Sequence, residues 1–214
     1  MSDLSNFRKS YNKSELLETT IPENPFELFD IWFQDAKEDS VIEEANAMTI
    51  STIGQDGFPR SRVVLLKSYN EKGFIFYTNY NSNKGQALAE NPNICLSFFW
   101  PALERQIIIK GKAQKVDAQT SDTYFLSRPK GSQLGAIVSN QSEVIVSREV
   151  LEKKLTDLES QFEDSQITRP ENWGGYIVTP IEIEFWQGRP NRLHDRICYK
   201  LSQKSQWIFN RLSP

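Results

Sequence analysis

The chain is poor in the residues that build metal centres and nucleophilic triads. It holds one histidine, His194, and two cysteines, Cys95 and Cys198, which are far apart in sequence. A structural zinc site needs four nitrogen or sulfur ligands, and these residues are too few. A Ser–His–Asp triad would have to use His194, and the chain has no G-x-S-x-G turn for a nucleophile. We therefore expect no metal site, and we expect any enzymatic chemistry to depend on an organic cofactor.

Other absences exclude further classes of protein. The sequence has no G-x-x-x-x-G-K-[ST] or G-x-G-x-x-G motif, so neither a P-loop nor a Rossmann phosphate site is supported. The net charge is −3 and there is no basic stripe, which argues against nucleic acid or an anionic membrane as partner. Apolar runs such as residues 94–100 are too short to span a bilayer. Because the N-terminus also lacks an apolar signal segment, we expect a cytoplasmic protein with reduced cysteines.

Aromatic residues are plentiful, at 12% of the chain, and many stand where apolar and polar residues alternate. This pattern predicts β-strands and a sheet-rich core, and consecutive antiparallel strands favour a barrel or sandwich. Apolar residues at three- and four-residue spacing after Pro25 predict an amphipathic helix. The predicted strands are 47–53, 60–68, 73–78, 93–100, 104–116, 175–186, 192–201 and 206–212. The later helices are predicted at 82–91, 118–127 and 148–163, with a short helix that residues 130–132 cap and that extends through Ile137.

The sequence shows no internal repeat, no low-complexity tract and no interdomain linker. We therefore predict a single domain over residues 25–214. Residues 1–24 are polar and irregular, and we expect this segment to be mobile.

The stretch from Glu182 to Arg196 carries the densest set of functional side chains. It reads E-I-E-F-W-Q-G-R-P-N-R-L-H-D-R, an alternating strand followed by a turn at Gly188 and Pro190. Arginine presents a planar fork of donors that binds carboxylates and phosphates. The turn is therefore a candidate ligand clamp, although a charged hairpin on a solvated surface is the alternative. Its candidate residues are Arg189, Arg192, His194 and Arg196.

Two further basic positions flank the apolar run of residues 63–66. Arg62 precedes the run and Lys67 follows it. The two residues are an odd number apart, so a regular strand would direct them to opposite faces. One anion could contact both only if the strand bends or if Lys67 lies at its end.

Two more clusters of donors point to anions. Lys84 lies in the first turn of the helix that Ser82 is predicted to cap, and such a turn offers free N–H groups and a positive dipole end. Tyr124, Arg128 and Ser132 surround the end of another predicted helix. Taken singly, each basic residue could be a solvated side chain. Together with the arginine turn, the clusters predict a site for two phosphorylated molecules.

These motifs resemble those of the pyridoxamine/pyridoxine 5′-phosphate oxidase family of flavin enzymes. The resemblance extends in one register from about residue 25 to the C-terminus, and the final long motif is the most specific part of it. The motifs are S-R-V-V-L-L-K (61–67), F-Y-T-N (76–79), L-E-R-Q (103–106), Y-F-L-S-R-P-K-G-S-Q-L-G-A (124–136), S-N-Q-S (139–142), W-G-G (173–175), E-F-W-Q-G-R-P-N-R-L-H-D-R (184–196) and R-L-S-P (211–214).

The resemblance implies a mainly β, α+β fold with peripheral helices, an antiparallel split β-barrel that binds FMN. It also implies a homodimer with FMN at the interface. The implied reaction oxidises pyridoxamine 5′-phosphate and pyridoxine 5′-phosphate to pyridoxal 5′-phosphate, in vitamin B6 biosynthesis. O2 accepts the electrons and becomes hydrogen peroxide, and the amine substrate releases ammonia.

The resemblance also implies roles for individual residues. Arg192 and His194 are the implied catalytic residues, against the pyridine ring of the substrate. The implied FMN contacts are Arg62, Val63, Val64, Leu65, Leu66, Lys67, Tyr77, Thr78, Asn83, Lys84, Gln106, Gln141, Ser142, Trp186 and Arg196. The implied substrate contacts are Lys67, Tyr124, Arg128, Ser132, Arg192, Leu193 and His194, with Arg8 and Tyr11 matching more loosely a segment that closes over the site.

One position departs from the family pattern. The family usually has arginine before the lysine in the phosphate-binding helix, and this chain has Asn83 before Lys84. A neutral amide replaces a charge-assisted contact worth about 1.5–3 kcal/mol, which predicts weaker binding of FMN. The alternatives are another split-barrel flavin protein, such as a reductase or a flavin or haem carrier acting on a different small molecule, and a nucleic-acid-binding module.

Overall fold

A computed structural model describes residues 2–163 and 165–214 of the chain. The described elements follow the predicted order closely. The helices are α1 (Pro25–Glu38), α2 (Asn83–Glu90), α3 (Ala118–Ser127), α4 (Lys130–Val138) and α5 (Glu149–Gln161), with a 3₁₀ turn at Pro190–Arg192. The strands are β1 (Ala47–Ile53), β2 (Pro59–Leu65), β3 (Ser68–Asn70), β4 (Gly73–Asn79), β5 (Asn93–Trp100), β6 (Arg105–Lys115), β7 (Trp173–Gln187), β8 (Asp195–Leu201) and β9 (Trp207–Arg211).

Within the described ranges these nine strands form one sheet in the order β2-β1-β5-β6-β7-β4-β3, and β8 joins through β7 and continues to β9. The pairs β3/β4, β4/β7, β7/β8 and β8/β9 are antiparallel, as predicted. In the β7/β8 pair, Trp186 lies opposite Arg196 and Gln187 opposite Asp195. This register fixes the length of the turn that carries the arginines.

The prediction of one continuous strand over residues 60–68 is wrong. β2 ends at Leu65, and a separate short strand, β3, begins at Ser68. Lys67 lies between the two strands, and its N–H donates to the Ile75 carbonyl at 2.8 Å. Strand alternation therefore does not continue from Arg62 to Lys67, and this removes the reason to place the two side chains on opposite faces.

Two helices also differ from the predictions. We predicted that residues 130–132 would cap a helix, but α4 begins at Lys130 after Pro129, and no side chain caps it. α5 is shorter than the predicted 148–163, and its apolar side chains are at most half-buried. It packs through Leu155 and Leu158 on the cluster that contains Trp173.

The chain forms two compact units. The first unit comprises residues 2–50, 95–111 and 180–214. Asn24 caps α1 by accepting the Phe26 N–H through its side chain, and the helix buries Phe29 and Trp32. Trp32 packs edge-on against Phe185 of β7 at 5.2 Å, and Phe185 in turn contacts Tyr199. This aromatic core supports the β7/β8 hairpin.

The second unit comprises residues 51–94, 112–163 and 165–179. Its buried apolar residues include Phe74, Phe76 and Val178 on β4 and β7, and a second cluster around Phe125 and Trp173. Phe76 stacks on Tyr176 at 5.7 Å. These contacts hold β4, α3 and α4 together beside a cavity. No helix in the described ranges is both long enough and apolar enough to cross a membrane.

The N-terminal segment is irregular, as predicted, but part of it is anchored to the first unit. Leu16 is buried, and the N–H groups of Asn12 and Lys13 donate to the buried carboxylate of Glu104 at 2.8 and 3.0 Å. The Tyr199 hydroxyl donates to the Pro22 carbonyl at 2.7 Å. These contacts anchor residues 12–22 to the first unit, and the mobility of residues 1–24 stays a prediction.

Candidate binding cavity and arginine turn

The second unit contains a cavity of about 920 Å³, within the usual range for a small-molecule site. β2, β4, the start of α2 and the connection between α3 and α4 supply its walls. Among the described lining residues, five are lysine or arginine and none is aspartate or glutamate, so the cavity is strongly positive. The five are Arg60, Arg62, Lys67, Lys84 and Arg128.

Lys84 lies at the N-terminal end of α2 and is buried. Its Nζ donates to Gln141 Oε1 at 3.0 Å and to Thr78 Oγ1 at 3.2 Å, and no carboxylate in the described ranges forms an ion pair with it. Burial, together with the charge of Arg62, lowers the pKa of Lys84 to about 8. A buried cation held only by neutral oxygens can be stabilised by a bound anion.

Neighbouring groups complete this end of the cavity. Arg62 Nη1 donates to Thr52 Oγ1 at 2.8 Å, and burial together with Arg60 lowers the pKa of Arg62. The Asn83 N–H donates to Ser142 Oγ at 3.2 Å, which ties α2 to the loop after α4. The side chains that meet here are hydroxyls, amides and cations, a donor set suited to phosphate.

The start of α2 is shaped by two local features. Ser82 caps the helix by accepting the Gly85 N–H at 3.3 Å, as the sequence predicts. A Cβ atom at Gly85 would overlap the carbonyl group of Tyr80, so only glycine permits this close approach. The cap and the glycine hold the first turn of α2, with Lys84, at the cavity wall.

The other end of the cavity is aromatic. Tyr77 stacks on Tyr124 at 3.9 Å between ring centroids and on Trp173 at 5.6 Å. Arg128 lies over the Trp173 ring at 4.7 Å. Its Nη1 is buried and has no hydrogen-bond partner among the described residues, and burial lowers the pKa of Arg128. An unsatisfied guanidinium nitrogen is costly, and an anionic oxygen would satisfy it.

Most residues that the sequence analysis assigned to ligands lie together at this cavity, including both Arg62 and Lys67. Leu66 is buried and does not line it. Sequence reasoning missed Trp173 and Arg60, although Trp173 stands in a motif and Arg60 is two residues before Arg62 on an alternating strand. The assigned residues that line the cavity are Arg62, Val63, Val64, Leu65, Lys67, Tyr77, Thr78, Asn83, Lys84, Tyr124, Arg128, Ser132, Gln141 and Ser142.

The arginine turn belongs to the first unit, between β7 and β8. Asn191 and Arg192 both have positive φ, 58° and 63°. Such left-handed backbone is unfavourable for residues other than glycine and is often found at functional sites. Arg192 is exposed and has no ion pair among the described residues, so its charge is available to a ligand.

His194 is held in one orientation. Its Nδ1 accepts the Arg189 N–H at 3.1 Å, so the neutral ring carries its proton on Nε2. The ring packs against Trp186 at 4.7 Å and Tyr11 at 5.9 Å. Burial and the charge of Arg192 lower the pKa of His194, which favours the neutral form at pH 7. The structure thus brings Tyr11, Trp186 and His194 together.

The other arginines of the turn are paired. Arg196 binds Glu184 through two nitrogens, at 2.7 and 3.2 Å, and donates to the Ser213 carbonyl at 2.9 Å. Arg189 pairs with Glu15 at 2.9 Å. Arg8 is exposed and donates to the Ser5 carbonyl. Gln106 lies on β6, and Leu193 is exposed. The ligand roles of Arg8, Gln106, Leu193 and Arg196 stay predictions.

Comparison with known proteins gives a consistent result. Residues 35–162 match the family described as pyridoxamine 5′-phosphate oxidase, and residues 173–214 match the pyridoxine 5′-phosphate oxidase C-terminal dimerisation region. The chain belongs to the pyridoxamine 5′-phosphate oxidase family. It is similar to the pyridoxine/pyridoxamine 5′-phosphate oxidases of Flavobacterium psychrophilum, at 66% identity over 100% of both chains, and of Flavobacterium johnsoniae, at 64% identity over 100% of both.

Solved structures confirm the predicted fold class. PhzG from Burkholderia lata, in complex with tetrahydrophenazine-1-carboxylic acid, matches with a TM-score of 0.87 and 28% identity, over 95% of this chain and 100% of that one. A pyridoxamine 5′-phosphate oxidase-related, FMN binding protein from Nostoc punctiforme matches with a TM-score of 0.71 and 14% identity, over 91% of this chain and 100% of that one. The fold is therefore the mainly antiparallel β, split-barrel class of this family.

Proposed function

We propose that this chain is an FMN-dependent oxidase that converts pyridoxamine 5′-phosphate and pyridoxine 5′-phosphate to pyridoxal 5′-phosphate. The family and the names of the full-length relatives support this activity. The observation that carries it is the cavity, where Arg128 Nη1 is buried without a partner among the described residues, beside an aromatic stack. The similarity over the whole chain to oxidases of this name favours this function over another split-barrel flavin protein.

FMN fits the end of the cavity at α2. Its phosphate would bind the cations Arg62 and Lys84, with hydroxyl and amide donors from Thr78, Gln141 and Ser142 around them. Bound FMN would supply the redox chemistry of the reaction, as the acceptor of a hydride from C4′ of the substrate with O2 as the final electron acceptor and hydrogen peroxide as its product. The protein contributes binding, orientation and a positive environment.

The substrate phosphate fits the aromatic end of the cavity. Arg128 offers the unsatisfied nitrogen, Lys67 a second charge, and Tyr124 and Ser132 hydroxyl groups. A phosphate bound to the buried Nη1 would gain a short, charge-assisted hydrogen bond. This arrangement explains why the substrates would be phosphorylated rather than free vitamers.

The turn residues are the proposed catalytic groups. Arg192, exposed and without an ion pair among the described residues, would orient the substrate and stabilise charge that develops on it. His194 would donate a hydrogen bond from Nε2, because its Nδ1 already accepts the Arg189 N–H. We also propose a homodimer with FMN at the interface, supported by the match of residues 173–214 to a dimerisation region.

The purified protein tests the proposal directly. We expect yellow flavin absorbance and, on addition of pyridoxine 5′-phosphate in air, equal amounts of aldehyde and hydrogen peroxide. Unphosphorylated pyridoxine is the matched control and should react far more slowly, because it cannot use Arg128. A flavin-loaded protein that forms no aldehyde from either phosphorylated substrate would contradict the proposed function.

A further inference from the structure

Arg60 is the one cation among the described lining residues for which the family resemblance gives no role. It stands two positions before Arg62 on β2, so the two side chains share a face of the strand. Arg60 lines the large cavity and also a smaller adjoining pocket of about 280 Å³, whose lining includes Asn83 and Asp56. Its guanidinium thus borders the start of α2 from the β2 side.

The present partner of Arg60 holds it weakly. Arg60 Nη2 lies 2.9 Å from Asp56 Oδ2, and both side chains are about half exposed, at 50% and 45%. Exposed ion pairs of this kind contribute little, because water screens them and both side chains lose freedom. Arg60 can therefore exchange Asp56 for a stronger anion at small cost.

The electrostatics favour such an exchange. The pKa of Arg62 is lowered mainly by burial and, to a smaller extent, by the positive charge of Arg60. The pKa of Lys84 is likewise lowered by burial and, in addition, by the positive charge of Arg62. Arg62 is thus repelled by Arg60 on one side and repels Lys84 on the other. Asp56 is the one carboxylate that pairs with any of the three in the described ranges, so a shared dianion would stabilise them.

We infer that Arg60 is a further phosphate-binding residue. When FMN binds, Arg60 gives up its ion pair with Asp56 and binds the FMN phosphate beside Arg62 and Lys84. The inference rests on the proposed function, because FMN is the ligand assigned to this end of the cavity. It also explains how the site tolerates the neutral Asn83, because Arg60 on β2 supplies the charge that an arginine at position 83 would supply. Arg60 is thus a specificity-determining residue for a phosphorylated over an unphosphorylated flavin.

Titration of apoprotein with FMN and with riboflavin, followed by flavin fluorescence, tests the inference. Arg60→Ala should raise the Kd for FMN about tenfold, the loss of one partly exposed charge-assisted contact, and leave the Kd for riboflavin unchanged. Arg60→Lys should give an intermediate Kd for FMN. Asp56→Asn should bind FMN as tightly as wild type or more tightly, because it removes the competing charge but keeps the oxygen that accepts the Phe58 N–H.

Lys72→Ala is the matched control, since Lys72 is an exposed cation of the same unit outside the cavity lining. Wild-type protein that binds FMN, with Arg60→Ala within twofold of it, would overturn the inference and leave the proposed function standing. Equal weakening by Lys72→Ala, or equal weakening of riboflavin, would overturn it too, since a general charge effect or damage to the fold would then explain the loss. Wild-type protein that fails to bind FMN would overturn both.

Discussion

The cavity of the second unit and the arginine turn of the first unit differ in whether their cations are paired with carboxylates. In the turn, Arg189 and Arg196 are paired with carboxylates, and a strained backbone exposes Arg192. In the cavity, Lys84 is buried, Arg128 has a buried Nη1, and neither has a carboxylate partner in the described ranges. A paired arginine orders the local structure, whereas a buried unpaired one costs stability and is typical of a binding site.

Trp173 shows the same contrast within one unit. Arg169 binds Asp122 at 2.5 Å and donates to the Trp173 carbonyl at 2.6 Å, so its donors are used. Arg128 lies over the ring of the same tryptophan with a buried nitrogen that has no partner among the described residues. We therefore propose that Arg169 stabilises the fold and that Arg128 binds the ligand.

The largest effect should come from the exposed charge of the turn. Arg192→Ala should lower kcat about 10²- to 10³-fold, the usual cost of losing one group that stabilises developing charge, with no change in FMN content. Arg189→Ala, in the same turn but paired with Glu15, should lower kcat far less. Steady-state kinetics normalised to bound flavin makes the comparison. Loss of flavin with normal turnover per remaining flavin would contradict the role of Arg192.

A smaller effect should separate the two arginines at Trp173. Arg128→Met should raise KM for pyridoxine 5′-phosphate about 10²-fold, because it removes the partly buried charge that is proposed to bind the phosphate. It should not lower the thermal midpoint of the apoprotein, since it also removes an unsatisfied donor. Arg169→Met should instead lower that midpoint by several degrees, because it leaves the Trp173 carbonyl and Asp122 without their partner. Equal destabilisation by both substitutions would remove the distinction.

Position 83 tests whether the cavity can accept more charge. Asn83→Arg should tighten FMN binding about tenfold, by adding a charge-assisted contact at the start of α2. Ala89→Arg adds the same charge near the other end of α2 and should leave the affinity unchanged. Titration of apoprotein with FMN gives both values. Equal affinities for wild type and Asn83→Arg would show that the neutral amide does not weaken binding. The gain should be larger when Arg60 is replaced by alanine, if the two positions serve one phosphate.

The pH dependence of FMN binding should report the protonation state of Lys84. Because burial lowers its pKa to about 8, Lys84 in the free protein loses its proton as the pH rises through that value. A bound phosphate requires the protonated form, so the Kd for FMN should rise about tenfold between pH 7 and pH 9. Lys84→Arg, which stays protonated, should lose this dependence. A wild-type Kd that is constant over this range would contradict the assignment.

Local sequence signals predicted much of the architecture around the cavity. β1, β5 and α3 have the predicted bounds, and Ser82 caps α2 as expected. These features depend on alternation, capping and turn residues within a few positions. Many of the residues that the family motifs assigned to ligands line this cavity, and their ligand roles stay predictions.

The remaining features depend on residues far apart in the chain. Asn12 and Lys13 are held by Glu104, about ninety positions away, and no local pattern indicates this contact. Arg196 pairs with Glu184 across the β7/β8 hairpin, a contact that only the strand register creates. The stack of Tyr77, Tyr124 and Trp173 likewise joins β4, α3 and β7. Sequence reasoning could name these side chains but not their partners.

The central claim is that the unpaired cations of the cavity bind the phosphate groups of two different ligands. Calorimetric titration tests it, with apoprotein against FMN or riboflavin, and with oxygen-free, FMN-loaded protein against pyridoxine 5′-phosphate or pyridoxine. We predict that removing the phosphate weakens each ligand by about 10²-fold or more, as expected for charge-assisted contacts with buried cations. Equal affinity for the phosphorylated and unphosphorylated form of either ligand would contradict the claim.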